Sequence, residues 1–213
     1  MNEFKQWHND TLGAKAVEAL TKNNFTATYV KNREEALRQI TDLIPVEATV
    51  GVGGSWTIQE IGLDKALESR GNTMFNHGKP GLSPAEATEI RHKELSCDVF
   101  ITSTNALTLN GEMVNVDGVG NRVAAMIFGP KKVIIIAGVN KITRDITEAQ
   151  NRIELYAAPI NNKRINRPNP CVKTGECMDC SSPNRICNVT TILHKKPSLT
   201  DMHIFIIGEE LGF

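Results

Sequence analysis

The sequence carries no net charge: Lys and Arg total 24 and Asp and Glu total 24. No global field therefore draws the chain toward nucleic acid or an anionic membrane surface. It also has no apolar run near the ~20 residues a spanning helix needs. The opening Met1-Asn2-Glu3-Phe4-Lys5-Gln6-Trp7 lacks the apolar stretch of a secretion signal. The expectation is a soluble, cytoplasmic protein with no membrane insertion and no nucleic-acid partner. Both standard nucleotide signatures are missing, since no G-x-G-x-x-G and no Walker Lys-Ser/Thr is present. Five cysteines, an odd number without an export signal, argue against a disulfide scaffold and for a metal, cluster or thiol role. Internal repeats and low-complexity segments are absent as well.

What is present, over 213 residues, is an alternation of helical and strand-like segments long enough to bury a proper core. Helical spacing from about Thr11 to Asn23 precedes a strand over Phe25 to Val30. Asn32 caps a helix that Pro45 stops, and Ala48 to Val52 is a short apolar strand. Ser83-Pro84-Ala85-Glu86 is a capping box with Pro at the first helical position, predicting a helix to about Leu95. Cys97 to Thr102 reads as a buried strand in which Cys97 is a small core residue. Ala106 to Val116 reads as a hairpin around Asn110-Gly111. Lys132 to Ala137 is a buried parallel strand, and Asp145 starts a helix with Ala149, Ile153 and Tyr156 on one face. Residues past Ala158-Pro159 read as an irregular, basic, proline-broken excursion, and Met202 to Ile207 as a strand rejoining the main sheet. The fold class is thus α/β, a doubly wound and mostly parallel sheet with a cysteine-rich excursion near the C-terminus.

Val50-Gly51-Val52-Gly53-Gly54-Ser55-Trp56-Thr57-Ile58-Gln59-Glu60-Ile61-Gly62 has the layout of an anion cradle. Glycines let backbone N–H groups come close to a ligand, and a helix start beyond them adds unpaired donors. Thr57 to Glu60 reads as a capping box that begins the helix just after the glycines. A tight strand-to-helix turn without a ligand has the same appearance. A second glycine-rich turn, Asp117-Gly118-Val119-Gly120-Asn121-Arg122, opens another helix and is expected to face the first. A ligand anchored over Gly53 and Gly54 then presents its other end to Glu112 and Asp117, the expected catalytic carboxylates. The expected ligand-binding residues are Gly51, Gly53, Gly54, Ser55, Thr57, Gly118, Gly120, Asn121 and Arg122. The plainer alternatives make Glu112 a solvated hairpin residue, Asp117 an N-cap and Arg122 a surface cation. His77, in the loop before Gly78, is a weaker site candidate set against the common case of a solvated loop histidine.

Cys171, Cys177, Cys180 and Cys187 form the most specific chemical signal. Two of them make a C-x-x-C turn, which brings two sulfurs to one metal edge, and all four can converge on one centre. A zinc ion and an iron–sulfur cluster both remain open, as do free or disulfide-paired thiols. Glu176 and Asp179 beside the sulfurs disfavour thiolates and count against a reactive thiol pair.

Gly51 to Gly62, Thr104-Asn105-Ala106-Leu107-Thr108-Leu109-Asn110-Gly111-Glu112-Met113-Val114-Asn115-Val116-Asp117-Gly118-Val119-Gly120-Asn121-Arg122 and the closing Ile207-Gly208-Glu209-Glu210-Leu211-Gly212-Phe213 together resemble the LUD (lactate utilisation) domain family. The resemblance covers nearly the whole chain. It implies one LUD-type domain over 1–213 with a cysteine-rich insertion at 161–190. The implied fold is similar to sugar-phosphate isomerases, CoA transferases and 5-formyltetrahydrofolate cyclo-ligases. In those enzymes a glycine turn binds phosphate and acidic residues move protons, roles that would carry over to Gly53, Gly54 and Ser55 and to Glu112 and Asp117. Some members belong to an iron–sulfur system that oxidises L-lactate to pyruvate. The implied function is use of L-lactate or a related small organic acid, with an anionic small molecule at the glycine turn, redox partner subunits and self-association. Alternatives are a non-redox enzyme on a phosphorylated or carboxylated metabolite and a non-catalytic accessory subunit. No separate ferredoxin-type domain of the kind found on larger lactate-system members is expected, and the resemblance implies that the cysteine block marks a subset of stand-alone members.

Overall fold

A computed structural model of the chain describes residues 2–213. Helix α1 (Glu3–Lys22) starts at Asn2, whose side chain accepts from the Lys5 N–H, so it begins two turns before the expected Thr11. It is followed by β1 (Thr26–Val30), α2 (Arg33–Leu43), β2 (Thr49–Val52), α3 (Trp56–Ile61), α4 (Leu63–Arg70) and β3 (Thr73–Phe75). Then come α5 (Pro84–Glu94), β4 (Val99–Thr102), β5 (Ala106–Thr108), β6 (Met113–Asp117), α6 (Asn121–Ile127) and β7 (Lys132–Gly138). After a 3-10 turn, β8 (Ile142–Thr143) leads to α7 (Ile146–Arg152), a π-helical turn over Ile153–Ala157 and α8 (Ala158–Arg164). A short α9 (Cys171–Thr174), β9 (Val189–Leu193) and β10 (Asp201–Ile207) complete the described elements.

Six strands form a wholly parallel sheet in the order β1-β10-β7-β4-β2-β3. Its centre, β7, alternates its side chains between two cores, as the pleat requires. Ile134 and Ile136 face one cluster with Ile40, Ile58 and Leu67, and Val133 and Ile135 face the other with Leu20, Phe100 and Met126. Both faces are covered, so the strand reads as continuously apolar. Strand β10 lies between β1 and β7, confirming that the last apolar run rejoins the sheet.

The capping box at Ser83 forms in full, and Asn32 and Asp145 cap their helices as expected. Three expectations need correction. The helix after the glycine turn is capped by Ser55, whose Oγ accepts from the Ile58 N–H, and no box forms at Thr57. Residues 161–164, expected to be irregular, are the end of helix α8, in which Pro159 occupies a first-turn position where no N–H is needed. Tyr156 is 48% exposed and does not share the buried face of Ala149 and Ile153; the π-turn shifts the helical phase there. A second sheet, ordered β8-β5-β6-β9, grows from the expected hairpin. It packs Ala106 and Val114 on Ala149 of α7 and Ile153 of the π-turn.

Candidate functional site

The carboxyl ends of parallel strands are where open α/β sheets hold ligands. Here the turns after β2, β4 and β7 surround a cavity of about 160 Å³, lined mostly by polar groups. The glycines make this space by having no side chain. A β-carbon on Gly53 would stand 2.7 Å from Phe100 Cζ and 2.8 Å from Thr102 Oγ1. Gly54 adopts φ +28°, a left-handed value other residues rarely take. Their N–H groups are already engaged, Gly53 with the Ile101 carbonyl at 3.0 Å and Gly54 with that of Val52 at 3.1 Å. The glycines therefore provide room, and the polar chemistry comes from side chains around them.

Lys141 lies at the base of this cavity, 3% exposed. It arrives there because β7 ends at Gly138, against which the backbone of Glu209 and Leu211 packs at 2.6 Å from where a β-carbon would be. The 3-10 turn Val139–Lys141 then directs the side chain beneath α3. Its Nζ donates to Ser103 Oγ at 2.9 Å, Thr57 Oγ1 at 3.1 Å and the Thr104 carbonyl at 3.3 Å. Burial, helped by the neighbouring guanidiniums of Arg152 and Arg122, pulls this ammonium from its ordinary 10.5 down to about 7, against a weaker opposing pull from Glu60. Among the described residues Lys141 has no carboxylate within ion-pair distance.

A second cationic group, Arg164 of α8, closes the opposite side. Its guanidinium carbon lies 6.0 Å from the Trp56 ring centroid and 5.9 Å from that of Phe213, both also lining the cavity. Its Nε and Nη2 donate to Asn161 Oδ1, which leaves the Nη1 donors for a ligand. Burial lowers its affinity for its proton.

His77 stands over the glycine turn, with Nε2 3.9 Å from where a Gly54 β-carbon would be. Its Nδ1 is 2.7 Å from Glu94 Oε1, and the Glu94 side chain is 1% exposed. The backbone N–H of His77 donates to the same oxygen at 3.1 Å. In the tautomer that gives the Nδ1 hydrogen to Glu94 Oε1, Nε2 is left as an acceptor on the cavity side. An imidazole backed by a buried carboxylate is an arrangement that takes a proton and steadies the imidazolium that results.

The two glycine turns do face each other, but Arg122 and Asp117 are tied up in holding them together. Arg122 donates to Asp117 Oδ1, to the Ser103 and Val116 carbonyls, and to the side-chain oxygens of Asn115 and Asn105, at 2.8–3.1 Å. All five N–H donors of a guanidinium are thereby used. Asp117 Oδ2 accepts the Val123 N–H at 3.0 Å. Both residues border the cavity as fixed framework, and Ser55, Thr57 and Asn121 line it too.

A LUD domain family model matches residues 13–207. The chain belongs to the LUD domain family. That family is associated with lactate utilisation. The crystal structure of a DUF162 family protein from Deinococcus radiodurans shares the LUD fold, with a TM-score of 0.51 at 12% identity. The likeness covers 93% of this chain and 98% of that one, and at such identity it speaks for the fold alone. Among curated proteins none matches the sequence.

Other residues expected at the site lie elsewhere in this LUD domain. Glu112 is at the far end of β6 from Asp117, a strand of five residues that spans about 17 Å at roughly 3.3 Å per residue. There its carboxylate accepts from Thr108 Oγ1 at 2.9 Å and lies 3.2 Å from His194 Nδ1. Gly51 is inside β2 against Cys97 and Phe100, and Gly118 packs on Ile186. Gly120 is the left-handed N-cap of α6. Cys97 is buried in the core with its thiol donating to backbone carbonyls. Cys171, Cys177, Cys180 and Cys187 are not disulfide-bonded and border one small cavity behind α8. Among the described residues no group of three or more His, Cys, Asp or Glu is placed to hold a single metal ion. No helix among them is long and apolar enough to cross a membrane.

Lys141, His77 with Glu94, and Arg164 are the site residues that sequence reasoning missed or ranked low. Only His77 carried a signal, its glycine-rich loop. Lys141 and Arg164 follow strand and helix ends whose meeting point depends on the order of strands in the sheet.

Proposed function

We propose that this LUD domain binds a small carboxylic acid of the 2-hydroxy or 2-oxo class and moves a proton on it with His77. The observation that carries this is Lys141, a buried amine facing a polar cavity with no carboxylate within ion-pair distance among the described residues. An unpaired charge away from water is costly, and an anionic ligand supplies the missing counter-charge. Arg164 Nη1 completes the seat as a direct donor to the carboxylate. The cavity, at about 160 Å³, is well below the ~300–1,000 Å³ that accommodates drug-sized ligands, which favours an acid of a few heavy atoms over a nucleotide or a coenzyme.

With the carboxylate over the glycines between Lys141 and Arg164, the α-substituent lies toward His77 Nε2. Oxidation of a 2-hydroxy acid removes two electrons and two protons. In this scheme the O–H bond gives its proton to His77 as the carbonyl forms, and the Cα–H bond gives its electron pair and proton, as a hydride, to a hydride-accepting cofactor of the flavin or nicotinamide class carried by a redox partner subunit. Glu94 holds the ring and balances its charge while Asp117 and Arg122 keep the two turns in register.

Thermal unfolding with L-lactate, pyruvate, acetate and inorganic phosphate tests the binding step. At a hundredfold excess over Kd a ligand adds about 2.7 kcal/mol, which for a chain of this size raises Tm by about 5–10 °C. The hydroxy and oxo acids should give that shift in wild type, and Lys141→Met and Arg164→Gln should each remove it. No shift with any small carboxylate, or a full shift in Lys141→Met, would sink the idea.

A further inference from the structure

Two guanidiniums stand near Lys141, and they differ in how their charge is balanced. Arg122 is ion-paired with Asp117 at 3.1 Å. Arg152, the last residue of α7, has no carboxylate within ion-pair distance among the described residues. Its guanidinium carbon lies over the Tyr156 ring, 5.4 Å from the centroid, and burial works against its charge. Its Nη2 is buried and makes no hydrogen bond.

The other two nitrogens of Arg152 tie together the turns that hold the lysine. Nε donates at 2.9 Å to the carbonyl of Asn140, which immediately precedes Lys141. Nη1 donates at 2.7 Å to the carbonyl of Asn105, which immediately follows Thr104. Ser103 and Thr104 are two of the three residues that accept from Lys141 Nζ. One side chain thus fixes the turn that carries the donor and the turn that carries its acceptors. Two carbonyls call for donors and not for charge, and a buried charge without a partner is costly.

The remaining charged groups round Lys141 leave that charge unbalanced. Glu60 of α3 pulls the lysine the other way, but its carboxylate accepts the Trp56 indole N–H at 3.0 Å and the Gly212 N–H at 2.6 Å. On α1, which packs against the same 3-10 turn, Asp10 accepts from Gln6 and Tyr29. Glu209, after β10, is paired with Arg33, and Glu148 is beside Arg144. Glu210 borders the outer groove that Arg152 also reaches. The cavity itself is lined by Arg164, His77 and the Arg122–Asp117 pair. Of the charged groups Arg152 acts on Lys141 most strongly, then Arg122, then Glu60.

We propose that Arg152 is a positioning residue of the anion cavity that acts through Lys141: it clamps the two turns holding the lysine and places an unpaired positive charge behind it. This rests on reading the cavity as a carboxylate seat. In the empty site the guanidinium favours the neutral amine. An anion in the cavity gives both cations a counter-charge, so seating the acid draws a proton onto Lys141.

Full-length protein labelled with ¹³C-lysine tests this with no acid present. The Lys141 ε-carbon resonance, identified by its absence in Lys141→Met, should titrate at about 7 in wild type. Arg152→Gln, which can still donate a hydrogen bond but has no charge, should move that titration up to about 8, within the range a nearby charge commands. Pyruvate affinity, measured by calorimetry over the same pH range, should begin to fall correspondingly later. A clamp with no electrostatic role would lower Tm and leave the titration where it was, and that result in folded Arg152→Gln would overturn the proposal. Lys141 titrating near its ordinary 10.5 in wild type would do the same. Arg152→Lys, which keeps the charge, should titrate as wild type does. If Arg152→Gln does not fold, Arg152→Lys carries the test, a wild-type titration supporting the proposal and an upward move opposing it. Because Lys141 is followed in the empty protein, a failure of pyruvate to bind counts against the carboxylate seat and leaves the role of Arg152 to the titration.

Discussion

Replacing Lys141 with Met should leave the empty protein more stable at acid pH and less stable at alkaline pH. In the unfolded chain the lysine keeps its proton to about 10.4, whereas in the folded protein it gives it up at about 7. Between those values the unfolded state holds more protons, so folding stability rises with pH across that window. Below about 7 both states are charged and the full cost of burying the ammonium stands. A fall from 10.5 to about 7 is worth about 5 kcal/mol, at roughly 1.4 kcal/mol per tenfold change. Met removes that cost and also the three hydrogen bonds to Thr57, Ser103 and Thr104, which together contribute about 3 kcal/mol. The variant should then be about 2 kcal/mol more stable at pH 6. At pH 9 the remaining cost in wild type is about 2 kcal/mol, and the variant should be about 1 kcal/mol less stable. Urea unfolding of both proteins at the two pH values, without added anions, measures the difference directly. An equal difference at pH 6 and pH 9 would show that Lys141 does not titrate in this window and would refute the reasoning. The same linkage makes carboxylate affinity fall as pH rises above about 7, because the anion binds the charged ammonium.

Arg122→Lys should destabilise the protein by about 3–5 kcal/mol in urea unfolding, since an ammonium cannot replace a five-donor fork and leaves Asp117 poorly paired. His77→Gln should keep the carboxylate-induced rise in Tm while turnover with a redox partner present drops about 10²–10⁴-fold, the range of a lost general base; unchanged turnover would remove His77 from the chemistry. Glu112→Ala should cost about 1 kcal/mol through its hairpin hydrogen bonds and leave carboxylate binding as in wild type.

Local chemistry was the most legible part of the sequence. Ser83 with Glu86 sets a helix start through contacts three residues apart, and Asn110-Gly111 sets a hairpin through the left-handed φ that Gly111 takes. The glycine turn was also visible, though its use of glycine proved steric, because Gly53 and Gly54 spend their N–H groups on Ile101 and Val52. The site's charged groups were not legible for a topological reason. Lys141 meets Thr57 across 84 positions of sequence and Ser103 across 38, and nothing near Lys141 announces burial. Glu112 was misleading because proximity in sequence to Asp117 suggested proximity in space, while an extended strand sends its two ends in opposite directions.

Helix α8 (Ala158–Arg164) lends neighbouring residues to two cavities, Asn161 to the one beneath the glycine turn and Asn162 to the one the cysteines border. A shift of this one short helix is therefore felt in both. On the proposed reading, whatever factor an acid held by Arg164 imposes on the free energy of the cysteine loop, a change in that loop imposes on the affinity for the acid, because coupling between two sites is reciprocal.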